Sequence, residues 1–200
     1  MAKSEALAEV LRGAARCHAG SSDFDLNPEN APLPGAKLRP AAVLLAFEER
    51  SDGLHLILTK RAAHLRHHPG QIALPGGKID PEDAGPQAAA LREAEEEIGL
   101  ARENVEVLGE LPVHETVTGF SIQPVLGRIR ATFSPKPEIG EVEEVFSVPF
   151  AFLSQPANFV VVSRLWRGAP RYYYTAPYGP YYIWGATARI LRGLADGMSK

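Results

Sequence analysis

LPGGKIDPEDAGPQAAALREAEEEIGL, residues 74–100, carries the most informative pattern in the chain. Its second half predicts a helix over residues 86–98, because Pro86 suits a first helical position and Gly99 suits the left-handed residue beyond the last turn. Its first half contains a glycine turn, and glycine lets the backbone approach a bound group closely. A short apolar strand, a glycine turn and an acidic helix are therefore expected to form one compact unit.

The predicted helix has one acidic side. Helical periodicity gives an apolar face composed of Leu91, Ala94 and Ile98. Glu93, Glu96 and Glu97 fall on roughly the opposite face, within reach of one another. A hard divalent ion reverses the repulsion between such carboxylates, since Mg²⁺ and Mn²⁺ prefer oxygen ligands. The acidic face is therefore either a solvated surface or a metal site, and the adjacent glycine turn favours the metal site.

This segment resembles the signature of the Nudix hydrolases, in which a glycine and a glutamate precede Arg-Glu, two further glutamates, a glycine and an apolar residue. The residues that match are Gly77 and Arg92-Glu93-Ala94-Glu95-Glu96-Glu97-Ile98-Gly99-Leu100. One departure lies between them. The acid that follows Gly77 after five residues is Asp83, and eight residues rather than seven separate it from Arg92. In the family this acid mainly braces the loop against the helix, so the path of the loop around Asp83 stays open.

The resemblance implies an α/β protein with the Nudix fold, a mixed β-sheet sandwiched between helices. It also implies a pyrophosphatase that depends on Mg²⁺ or Mn²⁺. Glu93 and Glu97 are the expected metal ligands, and Glu96 is a further ligand or proton acceptor. Arg92 is expected to orient Glu96 and the loop rather than to touch the substrate.

A later acidic segment offers a general base, because Nudix sites often recruit another acid from such a position. The candidates are Glu141, Glu143 and Glu144. Glu141 best matches the glutamate that precedes a valine in related sequences, and the alternative for each is a solvated strand edge. The segment HETVTGF offers a candidate substrate loop with His114, Glu115 and Thr118, which the sequence leaves unranked.

Residues 58–77 are similar to the additional signature of the coenzyme A branch of the Nudix hydrolases. The residues that match are Leu58, Thr59, Arg61, Leu65, Arg66, His68, Gly70, Gln71, Pro75, Gly76 and Gly77. Coenzyme A carries a diphosphate and a separate 3′-phosphate, and arginine binds such oxygens in bidentate fashion. The resemblance therefore implies substrate contacts from Arg61, Arg66, His68, Gln71 and Gly77.

Two other interpretations of this basic loop remain. It is also consistent with a solvated loop that balances the charge of the acidic helix. His64, His67 and His68 also suggest zinc, although no cysteine or second spaced pair accompanies them. Near the end of the chain, residues 182–187 resemble an aromatic-Trp-Gly stretch of the same branch, and their simplest role is packing.

The expected reaction is hydrolysis of the diphosphate bond of coenzyme A or its acyl or oxidised derivatives. Its products are 4′-phosphopantetheine and adenosine 3′,5′-bisphosphate. One alternative is a general Nudix pyrophosphatase for nucleotide sugars or dinucleotides, against which the basic loop argues. The other is a non-catalytic Nudix domain that senses a nucleotide, against which the three retained helix carboxylates argue.

The remaining patterns predict the rest of the fold. Helices are expected at residues 4–18 and 183–197, and strands at 41–49, 54–59, 105–113, 120–129, 142–150, 159–166 and 171–175. Asp52-Gly53 predicts a hairpin, and residues 20–40 read as a linker or wrapping loop. We expect an N-terminal helix and linker extension over residues 1–38, and a Nudix hydrolase domain with its C-terminal helix over residues 39–200.

The composition of the chain limits the classes of partner that we expect. A formal net charge of −3 gives no reason to expect a nucleic-acid partner, and no apolar run is long enough for a membrane helix. The single cysteine, Cys17, cannot form an internal disulfide, which favours a reducing compartment and hence the cytoplasm. A mitochondrial presequence is disfavoured by Glu5 and Glu9. The expected partner is a small molecule, and oligomeric state is left open, with a homodimer among the options.

Overall fold

The computed structural model describes residues 4–31, 37–166 and 168–199. Part of the expected linker, residues 32–36, lies outside these ranges. The four α-helices described are α1 (Glu5–Ala14), α2 (Pro86–Ile98), α3 (Phe150–Leu153) and α4 (Gly185–Met198). The strands are β1 (Ser21–Ser22), β2 (Arg39–Arg50), β3 (Gly53–Arg61), β4 (Ile72–Ala73), β5 (Gly76–Lys78), β6 (Val105–Glu110), β7 (His114–Glu115), β8 (Phe120–Ile129), β9 (Val142–Pro149), β10 (Val160–Trp166), β11 (Ala169–Tyr178) and β12 (Tyr181–Trp184).

The larger sheet is mixed and contains strands β1 to β9. Its centre is β2, which pairs parallel with β8 and antiparallel with β3 and β5. The β2–β3 hairpin turns at Asp52-Gly53, as that dipeptide predicts, and Gly53 has a positive φ of 131°. Strand β3 continues beyond the hairpin to pair with β9 and β4. Its far end, at Arg61, lies beside the segments that form the site.

Helices cover both faces of this sheet. Helix α2 packs on one face through Ala90, Ala94 and Ile98, together with apolar residues of β2 and β8. Helices α1 and α4 pack on the other face, where Leu7 and Leu191 join a second apolar cluster. Alternate residues of a strand point to opposite faces, which is why β2 and β3 supply both clusters. The expected mixed sheet between helices is confirmed.

A second sheet of three antiparallel strands follows in the order β10-β11-β12. It corrects the expectation that the last helix begins at residue 183. Residues 181–184 instead pair with β11, and α4 begins after them at Gly185, which has a positive φ of 65°. The apolar residues of this stretch satisfy both periodicities, so a helix and a strand could not be separated from sequence.

Two further boundaries differ from expectation. Helix α1 ends at Ala14 rather than residue 18, because the N–H groups of Arg16 and Cys17 bond three residues back in a tighter turn. Strand β6 ends at Glu110 rather than residue 113, after a register irregularity next to Gly109 and before Pro112, which has no N–H to donate. In the described residues, no helix is both long enough and apolar enough to cross a membrane.

Candidate active site

Helix α2 places the acidic residues against the glycine turn. Pro86 stands in its first turn, and Gly99 ends it in the left-handed conformation with a φ of 70°. The glycine turn enters strand β5, whose Gly76 pairs with Val43 at the centre of the sheet. A Cβ on Gly76 would lie 2.3 Å from the carbonyl oxygen of Ala42, so only glycine fits there. The turn is thus fixed between the sheet and the helix.

Glu97 is buried at the contact between helix and turn. Its side chain is about 6% exposed, and its Oε2 accepts a hydrogen bond of 3.0 Å from the N–H of Gly76. The pKa of Glu97 is raised to about 7, chiefly by burial and also by the nearby carboxylates of Glu93 and Glu141. The Gly76 hydrogen bond and the charge of Arg61 act in the opposite direction. Glu97 is nevertheless buried, like Ala94 and Ile98, which its place on the acidic side of the helix did not predict.

Glu93 stands one turn earlier and touches the same backbone. A Cβ on Gly77 would lie 2.3 Å from Glu93 Oε1, so the carboxylate occupies the space that the missing side chain leaves. Burial raises the pKa of Glu93, although the charge of Arg92 partly offsets this effect. Gly77 therefore acts here by letting a carboxylate lie directly on the backbone.

Arg92 ties the loop to the helix. Its guanidinium donates two hydrogen bonds to Asp83, of 3.1 and 2.9 Å, and one of 3.1 Å to the carbonyl of Lys78. It also donates to Glu93 at 3.1 Å and to Glu96 at 3.0 Å. The hydrogen bonds from Arg92 hold the pKa of Asp83 below its usual value. Despite its shifted position, Asp83 thus has the bracing contact that the resemblance assigns to the glutamate of the signature.

Glu96 differs from its two neighbours. Its side chain is more than half exposed, and its Oε2 accepts a hydrogen bond of 3.0 Å from Arg92 Nη1. The structure therefore brings Glu93 and Glu97 together at the glycine turn, while Glu96 stands at the outer edge of the group.

Glu93, Glu96 and Glu97 together form the acidic group. Arg61 approaches this group from the end of β3. Its Nη1 lies 4.0 Å from Glu97 Oε1, and its Nε is buried without a hydrogen-bond partner among the described residues. Its backbone holds the basic loop closed: its N–H donates to the carbonyl of Gln71, and its carbonyl accepts from the N–H of Gly70. A buried guanidinium donor without a partner is costly unless a ligand satisfies it. Arg61 is therefore suited to bind an anion beside the carboxylates.

The other residues of the basic loop are more exposed. Arg66 and His68 face solvent, and His68 adopts a positive φ of 55°. The His68 ring nitrogen Nδ1 lies 3.0 Å from Gln71 Oε1, which links the two predicted substrate contacts. The structure brings Arg61 and Gly77 against the acidic helix, holds Gln71 on the Arg61 backbone, and leaves Arg66 exposed on the loop.

The three candidate bases have different surroundings. Glu143 pairs with Lys60 Nζ at 2.6 Å, and Glu144 accepts a hydrogen bond of 2.6 Å from the Tyr181 hydroxyl. Glu141 is exposed, and its charge raises the pKa of both Glu93 and Glu97. Its carbonyl accepts from the N–H of Ala62, next to Arg61. Of the three, Glu141 is the one that faces the acidic group without an engaged side chain.

Of the candidate substrate loop at residues 114–118, His114 is corrected, whereas Glu115 and Thr118 are exposed and stay candidates. His114 is fully buried, with Nδ1 2.9 Å from Ser21 Oγ and Nε2 3.4 Å from Asp23 Oδ1. Thr118 hydrogen-bonds to Thr116 within the same turn. These contacts fasten residues 21–23 to strand β7, and they leave His114 no surface on which to meet a substrate.

Comparison with known proteins decides the family. The NUDIX domain model matches residues 37–162, more than half of the chain. The chain belongs to the Nudix family. It is 43% identical over 157 residues to the uncharacterized Nudix hydrolase NudL of Salmonella paratyphi B, which covers 78% of this chain and 81% of that protein. Nudix hydrolases are pyrophosphatases that act on small molecules and generally use divalent metal ions.

One solved structure supports the fold. The MutT protein from Methanosarcina mazei Go1 is 17% identical, with a TM-score of 0.51, over 81% of this chain and 95% of that one. A Nudix hydrolase from M. smegmatis, RenU, is 27% identical, with a TM-score of 0.48, over 56% of this chain and 70% of that one. At this level of identity the MutT likeness establishes the fold alone.

The acidic group of this Nudix chain suits a divalent cation by its chemistry. Glu93 and Glu97 offer only oxygen donors, and burial together with like charge raises the pKa of each. Within the described ranges, no three acidic, histidine or cysteine side chains already enclose a metal position. Mg²⁺ is commonly held by one or two carboxylates, with water and substrate phosphate completing its shell. Two carboxylates beside an open glycine turn match that arrangement, and His64, His67 and His68 do not form a zinc site.

Sequence reasoning did not identify a cavity beside the basic loop. It measures about 520 Å³ and is lined by Lys60, Pro69, Gly70, Gln71, Ile72, Glu144, Pro180, Tyr181, Tyr182 and Trp184. The aromatic members were expected to pack in the core. No sequence signal was available, because YYIW (residues 181–184) does not alternate polar and apolar residues, although Ile183 is buried and its neighbour Tyr182 is 45% exposed.

Proposed function

We propose that this Nudix hydrolase cleaves the diphosphate bond of coenzyme A, or of its acyl or oxidised derivatives. The products are 4′-phosphopantetheine and adenosine 3′,5′-bisphosphate. The observation that carries the proposal is the position of Arg61. This arginine of the coenzyme A-like signature lies beside Glu97, and its buried Nε has no hydrogen-bond partner among the described residues. The signature and the acidic helix thus form one site.

The chain's own residues divide the work of hydrolysis. Glu93 and Glu97 would hold Mg²⁺ or Mn²⁺, with Glu96 as a further ligand. When bound, the divalent ion offsets the charge of the diphosphate and makes water a better nucleophile. Arg92 positions Glu93 and Glu96 through its hydrogen bonds and keeps the loop closed through Asp83. Glu141 accepts the proton of the attacking water.

The basic loop binds the substrate in this proposal. Arg61 contacts the diphosphate, and the exposed Arg66 and His68 contact the 3′-phosphate side. Gln71 holds His68 in place, and Gly77 lets the Glu93 carboxylate lie against the turn beside the bound diphosphate. Arginine is suited to both contacts because its planar fork binds phosphate oxygens in pairs.

The substrate assignment is tested by phosphorus NMR of the reaction products. Coenzyme A, dephospho-coenzyme A and ADP-ribose are compared at equal concentration, each with Mg²⁺ and with Mn²⁺. We expect coenzyme A to be turned over with the highest kcat/KM and to give the two products named above. Preference for ADP-ribose would replace this substrate with the nucleotide-sugar and dinucleotide class.

The metal assignment is tested by Glu97→Gln, with Glu95→Gln as the matched control on the same helix. Glu95 pairs with Arg102 outside the acidic group, at 2.8 Å. We expect Glu97→Gln to lower kcat by roughly 10²-fold or more, because the lost interaction acts in the transition state, and Glu95→Gln to leave it unchanged. Circular dichroism checks that both variants fold. Full activity of Glu97→Gln would contradict the metal assignment.

Three further expectations stay predictions. They are the division into an extension over residues 1–38 and a domain over residues 39–200, a cytoplasmic location, and the oligomeric state, for which a homodimer is one option. Sedimentation of the purified chain tests the last of these.

A further inference from the structure

The cavity beside the basic loop has the size and walls of a ligand site. Its volume of about 520 Å³ falls within the range of about 300–1,000 Å³ that small-molecule sites occupy. One wall is strand β12, which contributes Tyr181, Tyr182 and Trp184. The opposite wall is the end of the basic loop, which contributes Gly70 and Gln71.

The aromatic wall is rigid. The Tyr181 ring stacks on Phe146 with a centroid distance of 3.6 Å, and its hydroxyl is held by Glu144 at 2.6 Å. Trp184 is held from its other side by Arg164, whose guanidinium lies 4.6 Å from the ring centroid. Tyr182 is 45% exposed and lies on the same face of β12 as Trp184, because alternate residues of a strand share a face. An exposed ring beside a fixed ring presents a flat surface that a second aromatic ring can stack on.

The polar groups of the cavity suit a nucleobase more than an aliphatic chain. Glu144 is a hydrogen-bond acceptor, and the exocyclic amino group of adenine is a donor. Lys60 lines the cavity with its Nζ paired to Glu143 at 2.6 Å, and the Arg164 guanidinium lies over the Trp184 ring. A flat ring with an amino group and a neighbouring phosphate therefore matches the aromatic, acidic and basic members of the wall.

The cavity lies next to the acidic group along the chain. Lys60 lines the cavity, and the next residue, Arg61, reaches Glu97. The backbone of Arg61 is hydrogen-bonded to Gly70 and Gln71, and both of these also line the cavity. Because alternate strand residues point to opposite faces, a substrate with its diphosphate beside Glu97 would have to pass round the end of β3, at Arg61, to enter the cavity.

We propose that this cavity binds the adenine nucleotide end of the substrate, with the base stacked on Tyr182. The proposal rests on the proposed function, because it takes coenzyme A as the molecule whose diphosphate lies at Glu97. It gives the aromatic residues of β12 a role in specificity, beyond packing. The pantetheine end then lies on the other side of the acidic group.

The test measures the Kd of adenosine 3′,5′-bisphosphate by titration calorimetry, with 4′-phosphopantetheine as the second probe. Tyr182→Ala removes the ring, Tyr182→Phe keeps the ring and removes only the hydroxyl, and Tyr172→Ala is the control. Tyr172 is 47% exposed, on the opposite face of the same small sheet. We expect Tyr182→Ala to raise the Kd of adenosine 3′,5′-bisphosphate by at least about fivefold, because the loss of one stacking contact with a base has an effect of this size.

Tyr182→Phe and Tyr172→Ala should bind this probe like the unaltered chain, and no variant should change the Kd of 4′-phosphopantetheine. With coenzyme A, Tyr182→Ala should raise KM and leave kcat within about twofold. An unchanged Kd for adenosine 3′,5′-bisphosphate in Tyr182→Ala overturns the proposal, and so does an equal loss in Tyr182→Phe. If the chain binds adenosine 3′,5′-bisphosphate through the Tyr182 ring but does not hydrolyse coenzyme A, the nucleotide site in the cavity is supported and the proposed function is rejected.

Discussion

At the scale of single residues, Glu97 combines two properties that oppose each other. Burial next to Glu93 makes its negative charge costly, which is why its pKa is raised to about 7. A metal ligand must nevertheless be ionised. Binding of a divalent ion would therefore stabilise the acidic group, because the ion offsets the repulsion between carboxylates that the fold holds close together.

The pH dependence of stability follows from this residue. An acid with a higher pKa in the folded chain binds more protons there than in the unfolded chain, between the ordinary pKa of 4.5 and about 7. Its contribution to stability therefore falls as pH rises through that window. The loss is at most about 3 kcal/mol, at 1.36 kcal/mol for each pKa unit. Glu97→Gln removes this pH-dependent loss of stability. In the absence of metal, the variant should therefore be more stable than the unaltered chain at pH 8, and the difference should disappear at pH 4.

Urea unfolding without metal at pH 4, 6 and 8 measures the difference between the two chains. Adding Mg²⁺ at pH 8 should stabilise the unaltered chain, since the ion binds the folded state, and should have a smaller effect on Glu97→Gln. Glu95→Gln serves as the control, with no expected pH-dependent difference. A stability difference between Glu97→Gln and the unaltered chain that is the same at all three pH values would contradict this account.

At the scale of elements, the site depends on how closely α2 approaches the glycine turn. The Glu93 carboxylate occupies the space beside Gly77 where another residue would have a side chain. Gly77→Ala should therefore displace Glu93 while the fold is kept, because the backbone of Gly77 is not in the left-handed region. We expect the Mg²⁺ concentration for half-maximal activity to rise by roughly 10- to 100-fold, as when the support of a ligand is lost.

Gly193→Ala in helix α4 is the matched control. Its new Cβ would meet Arg189 Nη1 at 3.6 Å, an ordinary contact. Alanine in a helix interior is up to about 1 kcal/mol more favourable than glycine, so this variant should keep its metal dependence and gain stability. A metal titration curve for Gly77→Ala that superimposes on that of the unaltered chain would show that Glu93 is not placed by this contact.

The elements differ in how well their sequence defines them. Helix α2 has the predicted bounds, because Pro86 and Gly99 mark its ends through local backbone preferences. Strand β12 was missed because its role depends on pairing with β11, a contact that no local pattern records. The burial of Glu97 was also missed. Helical periodicity gives the angle of a residue around the axis, but the depth of that residue depends on where the glycine turn packs.

At the scale of the whole molecule, the two apolar clusters show which segments fold together. The NUDIX match begins at residue 37, yet Leu7 and Val10 of helix α1 are fully buried in the same cluster as β3 and α4. Gly13 and Gly197 let α1 and α4 approach closely, since a Cβ on Gly197 would lie 2.4 Å from the carbonyl oxygen of Gly13. The amphipathic pattern of α1 predicted a helix, but sequence could not show which surface its apolar side would cover.

Leu7→Ala tests whether α1 is part of the cooperative core. Removing a fully buried leucine costs about 2–5 kcal/mol, from lost transfer energy and the cavity left behind. We therefore expect the free energy of unfolding in urea to fall by that amount. Unfolding should remain a single transition, in which the curves from tryptophan fluorescence and far-UV circular dichroism coincide. Glu9→Ala on the exposed side of α1 is the control, and should change stability by less than about 0.5 kcal/mol. If α1 were a separate extension, Leu7→Ala would leave the main transition where it is in the unaltered chain, and only a small early change in helical signal would appear. Because α1 covers the sheet face opposite α2, kcat of the folded Leu7→Ala chain should stay unchanged in either case, so that any loss of activity follows the fraction unfolded.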